Sequence, residues 1–128
     1  MLSNRLICLS LASALISPVV HAKVTEQDFV AKTTQNLINL CTASPQDPHY
    51  QQAIHFCQGY LVGAVHFHLS ETANKPQYQL FCFPEPRPSR NESIDQFIAW
   101  AKQHPEYMNE PPVDTEFRFL TENWPCAK

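Results

Sequence analysis

The sequence predicts an all-α fold: a small four-helix bundle with two disulfides and a long proline-rich connection between the second and third helices. Three observations carry this. Apolar residues recur at helical spacing in four stretches, separated by breaker-dense turns. The only two glycines, Gly59 and Gly63, sit inside the longest stretch rather than in turns. Four cysteines remain once an apparent export leader is set aside, an even count that reads as two disulfides in a small exported domain.

The leader is residues 1–22. Arg5 supplies a positive start, Leu6 to Ile16 an apolar run, and Val20-His21-Ala22 a small-residue cleavage site. The run is too short to span a bilayer. Cleavage is expected after Ala22, with export to an oxidising compartment. Of the 128 residues, removal of these 22 leaves 106, residues 23–128, enough for one domain. Arg5 and Cys8 leave with the leader. Eight basic residues then face twelve acidic ones, a net charge near −4. No basic patch with interleaved aromatics suits nucleic acid, and a mildly acidic surface is compatible with a cationic protein partner.

The first helix is expected to open at Thr25, with Asp28 completing a variant capping box. Phe29, Thr33, Leu37, Leu40 and Cys41 share one of its faces. The turn Thr42-Ala43-Ser44-Pro45-Gln46-Asp47-Pro48 leads into the central helix, residues 47–69. There Asp47 is the expected N-cap and Pro48 takes the first helical position. Its apolar stripe is Tyr50, Ala53, Ile54, Cys57, Tyr60, Leu61, Ala64, Val65 and His68. Gly59 and Gly63 fall on the opposite side, beside Phe56. Each glycine costs about 0.5–1 kcal/mol relative to alanine in a helix interior. A flat second face that admits another helix or a second subunit would offset that cost, so Gly59, Gly63 and Phe56 are expected to form a helix-packing or dimer face.

Residues 71–90 carry Pro76, Pro84, Pro86 and Pro88 and form the long connection, with an apolar, extended middle from Tyr78 to Phe83. Ser93 and Gln96 are expected to cap a third helix over residues 94–103, with Ile94, Phe97, Ile98 and Ala101 inward. His104-Pro105 ends it. The fourth helix places Val113, Phe117, Leu120 and Trp124 at helical spacing and stops at Trp124-Pro125-Cys126. With the first two helices antiparallel and the long connection climbing back beside the second, the expected pairs are Cys57–Cys82 and Cys41–Cys126.

The chain offers little chemistry. His66 and His68 lack the i, i+4 spacing of a helical zinc pair, and His55 lies too far along the axis to join them. The mature cysteines are taken by disulfides, and no serine lies in a G-x-S-x-G elbow. Two mid-helix glycines build no phosphate loop. Scattered carboxylates read as solvated helix faces. The expectation is a binding protein rather than an enzyme, with no cofactor and no metal.

The motif Leu40-Cys41-Thr42-Ala43, then Tyr50-x-x-Ala53-x-x-Phe56-Cys57-x-Gly59-Tyr60-x-x-Gly63, then Cys82-Phe83-Pro84, then His104-Pro105-Glu106 and Trp124-Pro125-Cys126, resembles the Rap/Tai family. These are periplasmic immunity proteins that guard bacteria against peptidoglycan amidase effectors of type VI secretion. The resemblance implies a helical, disulfide-bonded, often dimeric exported protein that blocks a toxin by direct binding. Loops around a rigid scaffold are the expected contacts: Tyr78, Phe81 and Arg87 in the long connection, and Glu106, Tyr107 and Glu110 in the acidic turn. Burial of at least one of Phe81 and Phe83 is also expected. The alternative is an exported helical binding or chaperone-like protein with no toxin partner.

Overall fold

Thr33 and Ser89 start two of the four helices, each by a complete capping box. The computed structural model describes residues 23–127; the expected leader, residues 1–22, lies outside them. Helices α1 (Thr34–Cys41), α2 (Tyr50–Thr72), α3 (Arg90–Lys102) and α4 (Pro112–Asn123) are joined by irregular chain with 3-10 turns at Asp28–Val30, Pro76–Tyr78 and Pro105–Tyr107. No strand occurs among the described residues, so the fold is all-α.

The first helix begins nine residues later than the sequence pattern implies. Ala31 takes a left-handed conformation, φ 48°, which ends the 3-10 turn. Such a residue cannot continue a right-handed helix. Thr33 then caps α1, with its hydroxyl accepting from the Asn36 N–H and the Asn36 side chain accepting from the Thr33 N–H. Asp28, 3% exposed, holds the entry segment in place. It accepts hydrogen bonds from the Thr25 N–H and hydroxyl and from the side-chain amides of Asn36 and Asn39. Burial works to raise its pKa, but these donors outweigh it and hold the carboxyl below its ordinary value.

Helix α2 begins at Tyr50 rather than Asp47. Asp47 instead bridges, accepting from the His49 N–H and from the Val24 N–H at 2.8 Å each. The side chain that reads as an N-cap therefore fixes a turn two residues earlier and ties down the entry segment. Ala53, Cys57 and Leu61 are buried along α2, as its stripe predicts. Helix α3 begins one turn earlier than expected. Ser89 and Glu92, not Ser93 and Gln96, form the box, and the Ser93 hydroxyl donates to the Ser89 carbonyl. Pro88 blocks any further extension backwards. Ile94, Phe97 and Ala101 point inward as expected.

Helix α4 is rotated from the expected stripe. Its buried residues are Pro112, Thr115, Glu116, Phe119 and Leu120. Val113 is 37% exposed, and Phe117 is half-buried against His68 and Phe81, its ring centroids 5.2 and 6.0 Å away. The core runs from Leu37 and Leu40 through Ala53, Cys57 and Leu61 to Phe97, Phe119 and Trp124. Thr34 and Thr115 join α1 to α4 with hydroxyl oxygens 2.7 Å apart.

The disulfide pairing differs from the expected one. Cys41 pairs with Cys57, and Cys82 with Cys126. The last residue of α1 meets the third turn of α2, with Cα atoms 5.1 Å apart, because residues 42–49 fold back as a compact turn with Ala43 buried. The long connection does not climb beside Cys57. It crosses the end of α4, where the Cys82 N–H donates to the Trp124 carbonyl at 2.8 Å and brings Cys82 to Cys126. Each disulfide thus closes a neighbouring pair of segments.

Candidate partner-binding surfaces

The long connection is anchored from beneath. Phe81 is fully buried; its ring meets Phe83 edge-on at 5.4 Å and stacks on His68 at 5.6 Å. It is therefore not the exposed contact that its place in the loop suggests. An apolar residue beside a disulfide half-cystine packs inward when the crossing segment has a core beneath it. Leu80 donates its N–H to His68 Nε2 at 3.1 Å, which fixes the segment to α2. On this base Tyr78 and Leu80 stand 64% and 53% exposed. Arg87 is also exposed, its guanidinium 3.7 Å above the Phe83 ring.

The acidic turn is built differently. Trp100, His104 and Tyr107 stack as near-parallel rings, with Trp100 and His104 centroids 4.1 Å apart. His104 Nδ1 lies 2.8 Å from the Trp100 carbonyl. Arg118 covers the Tyr107 ring at 4.7 Å and is held by Glu110, Nε to Oε2 at 3.1 Å. Glu110 also gives its carbonyl to the Thr34 N–H at 2.8 Å. Glu110 and Tyr107 are thus engaged within the chain, and Glu106 alone of the three is exposed. The long connection packs on α2 through its 3-10 turn and the acidic turn packs on α3, so the two expected contact segments sit on different elements.

The Gly59 and Gly63 positions face open space: a methyl at either meets nothing within 4 Å. No element among the described residues covers them. Phe56 does not lie bare beside them; it packs edge-on against Phe29 at 5.7 Å and stacks on Tyr60 at 6.2 Å. Phe67, one turn beyond Gly63, is 69% exposed.

A further feature escapes the sequence reading. Between α2, α3, α4 and residues 83–88 lies a half-open cavity of about 290 Å³. Its walls are mostly apolar, with His66, Arg87, Arg90 and Ser93 among them, and Glu116 lines it, 4% exposed, with Oε2 buried and unpaired. Burial alone pushes the Glu116 carboxyl up to about 9, so it is protonated at neutral pH. Tyr60 feels the same surroundings. Burial raises its hydroxyl first, and the nearby Glu116 carboxyl adds to the rise. The sequence pattern counts Glu116 among the solvated carboxylates; its i, i+4 relation to the buried Pro112 and Leu120 is the signal that places it inward.

Among the described residues no three His, Cys, Asp or Glu side chains gather as a metal site, and no helix is long and apolar enough to cross a membrane. Fold and surfaces together define a disulfide-tied helical scaffold. A family model described as Rap1a immunity proteins matches residues 33–126, most of the chain, and this chain belongs to that family. No curated protein and no solved structure matches it.

Proposed function

We propose that this protein is a periplasmic immunity protein that binds a type VI secreted peptidoglycan amidase and occludes its active site. The observation that carries the reading is the family match over residues 33–126, which supports an immunity role. The amidase and the periplasm extend that role by the family resemblance of the Cys, Gly and Trp-Pro-Cys motifs. A leader cleaved after Ala22 and two disulfides fit export to an oxidising compartment. The chain acts by occupancy and not by catalysis, with no cofactor.

Tyr78 and Arg87 are the contact residues this reading favours, because aromatic and arginine side chains anchor interfaces and both are exposed on a segment that cannot collapse. Glu106 is the third. The uncovered Gly59 and Gly63 face, with Phe67 at its end, is a surface on which a second copy can pack helix to helix.

The test is a pull-down from periplasm and secretome with oxidised protein, followed by an amidase assay. Capture of a cell-wall amidase that is inhibited at equimolar protein, with loss of inhibition in a Tyr78→Ala/Arg87→Ala variant, is the expected result. Capture of nothing beyond a second copy of itself overturns the toxin reading and favours an orphan or chaperone-like protein.

A further inference from the structure

We infer that the cavity between α2, α3 and α4 is a receptor for an alkylammonium group, whose aliphatic stem lies along Leu61, Val65 and Ile94 and whose ammonium meets the Glu116 carboxylate. The geometry argues for this occupant from three sides. The cavity, about 290 Å³, opens to solvent at one side. Glu116 lines it with a buried oxygen that no group of the protein satisfies. A buried, unpaired acid carries a free-energy cost that a matching guest relieves.

Aromatic rings form much of the remaining wall. Phe97 meets Phe119 at 5.8 Å, Phe119 meets Trp124 at 5.3 Å, and Trp124 meets Phe83 at 5.5 Å between centroids. Aromatic rings packed edge to face beside one carboxylate line the space the ammonium enters.

Other polar and charged groups lie around the cavity. Helix α2 brings His66, as well as Tyr60 beside Glu116; the connection brings Arg87; and α3 brings Arg90. The two guanidiniums are exposed to solvent at the mouth, where their repulsion is screened. Arg87 is in addition spread over the Phe83 ring, and Arg90 donates to the Asn91 side chain. Neither cation lowers the Glu116 carboxyl, whose shift comes from burial alone. When the ammonium arrives, the Glu116 proton leaves to solvent and the carboxylate pairs with the guest. The chemistry of the cavity stands without the immunity reading. That reading supplies the source of the group, a lysine side chain of the bound toxin.

The experiment titrates the oxidised protein with n-hexylamine, n-hexanol and hexanoate, followed by NMR shifts of the cavity residues. Hexylamine should bind more tightly than either control. Its affinity should rise about tenfold per pH unit between pH 6 and 8, because binding expels one proton. Glu116→Gln should flatten that slope. Val62→Trp, which fills the cavity from α2 and leaves Glu116 in place, should abolish binding. Equal binding of hexanoate, an unchanged slope in E116Q, or binding that survives V62W overturns the proposal. In the amidase complex, V62W should weaken affinity at least about tenfold, the scale of one lost interface anchor. Amine binding with unchanged amidase affinity overturns the lysine source. Amine binding in a protein that captures no amidase overturns the immunity reading and leaves the cavity intact.

Discussion

Glu116 concentrates the electrostatics of this molecule in one side chain. Its folded-state pKa, about 9, lies above the ordinary carboxylate value of 4.5. The neutral form is therefore favoured by folding. The stability linked to this group is complete below about pH 4.5, and it declines as the pH rises towards 9. The slope is on the order of 1.4 kcal/mol per pH unit over that window. Urea unfolding of the oxidised protein from pH 5 to 8 should show this fall. E116Q, which keeps the shape and removes the proton, should flatten the curve and be the more stable protein at pH 8. A wild-type curve that rises over this range would show that Glu116 is paired or hydrated in solution. Asp28 works with the opposite sign. Its donors hold its pKa low, so its contribution is present above the ordinary value and is lost as the pH falls through the lowered one. The residue scale was only partly legible. Asp28 reads correctly as a partner of Thr25, but it binds Asn36 and Asn39 as well, and nothing local announces those contacts.

The elements themselves were legible; their ends and faces were less so. Two overlapping boxes, Ser89 with Glu92 and Ser93 with Gln96, compete to start α3. The first wins because it adds a turn of helix hydrogen bonds before Pro88 intervenes. Ser89→Ala should cost about 1 kcal/mol. Ser93→Ala should cost a few tenths at most, since that hydroxyl only back-bonds to the Ser89 carbonyl. Equal losses in thermal unfolding would restore the later start. Helix α4 shows how a stripe misleads. Phe117 and Val113 look inward by hydropathy, yet the true inward face carries Thr115 and Glu116, because Thr115 meets Thr34 and Glu116 meets the cavity. On α2 the glycines give a sharper test. In a dilute monomer, Gly59→Ala and Gly63→Ala should each stabilise by about 0.5–1 kcal/mol, since nothing obstructs the methyl. If that face joins two copies, the same pair of substitutions should weaken the dimer in sedimentation at higher concentration. Destabilisation of the dilute protein would mean that some part of the chain covers the glycines.

At the scale of the whole molecule, the two disulfides lock separate halves of the scaffold. Cys41–Cys57 spans 16 residues and Cys82–Cys126 spans 44. Chain-entropy reasoning gives about 3 and about 4 kcal/mol respectively. Cys82→Ser/Cys126→Ser should therefore be the more damaging pair. It should also free the long connection, and with it the surface that carries Tyr78 and Arg87, so binding should suffer more than stability alone implies. Cys41→Ser/Cys57→Ser should lower stability and leave the connection in place. A peptic map of the unreduced protein checks the pairing directly. Recovery of Cys57 joined to Cys82 would overturn it.

By itself the sequence determined that this chain is helical, where three of its four helices lie to within a few residues, that its cysteines pair, and that its motifs belong to an immunity family. These are readable because periodicity, breakers, caps and cysteine count are local or additive properties. Tertiary structure alone decided which cysteines meet, that Phe81 is an anchor beneath the loop and not a contact on it, and that Glu116 is buried in an aromatic cavity. The Cys82–Cys126 pair and the burial of Phe81 depend on the path of a twenty-residue connection across the end of α4, and the Cys41–Cys57 pair on the compact turn over residues 42–49. That path is set by packing between distant segments, which no local pattern encodes.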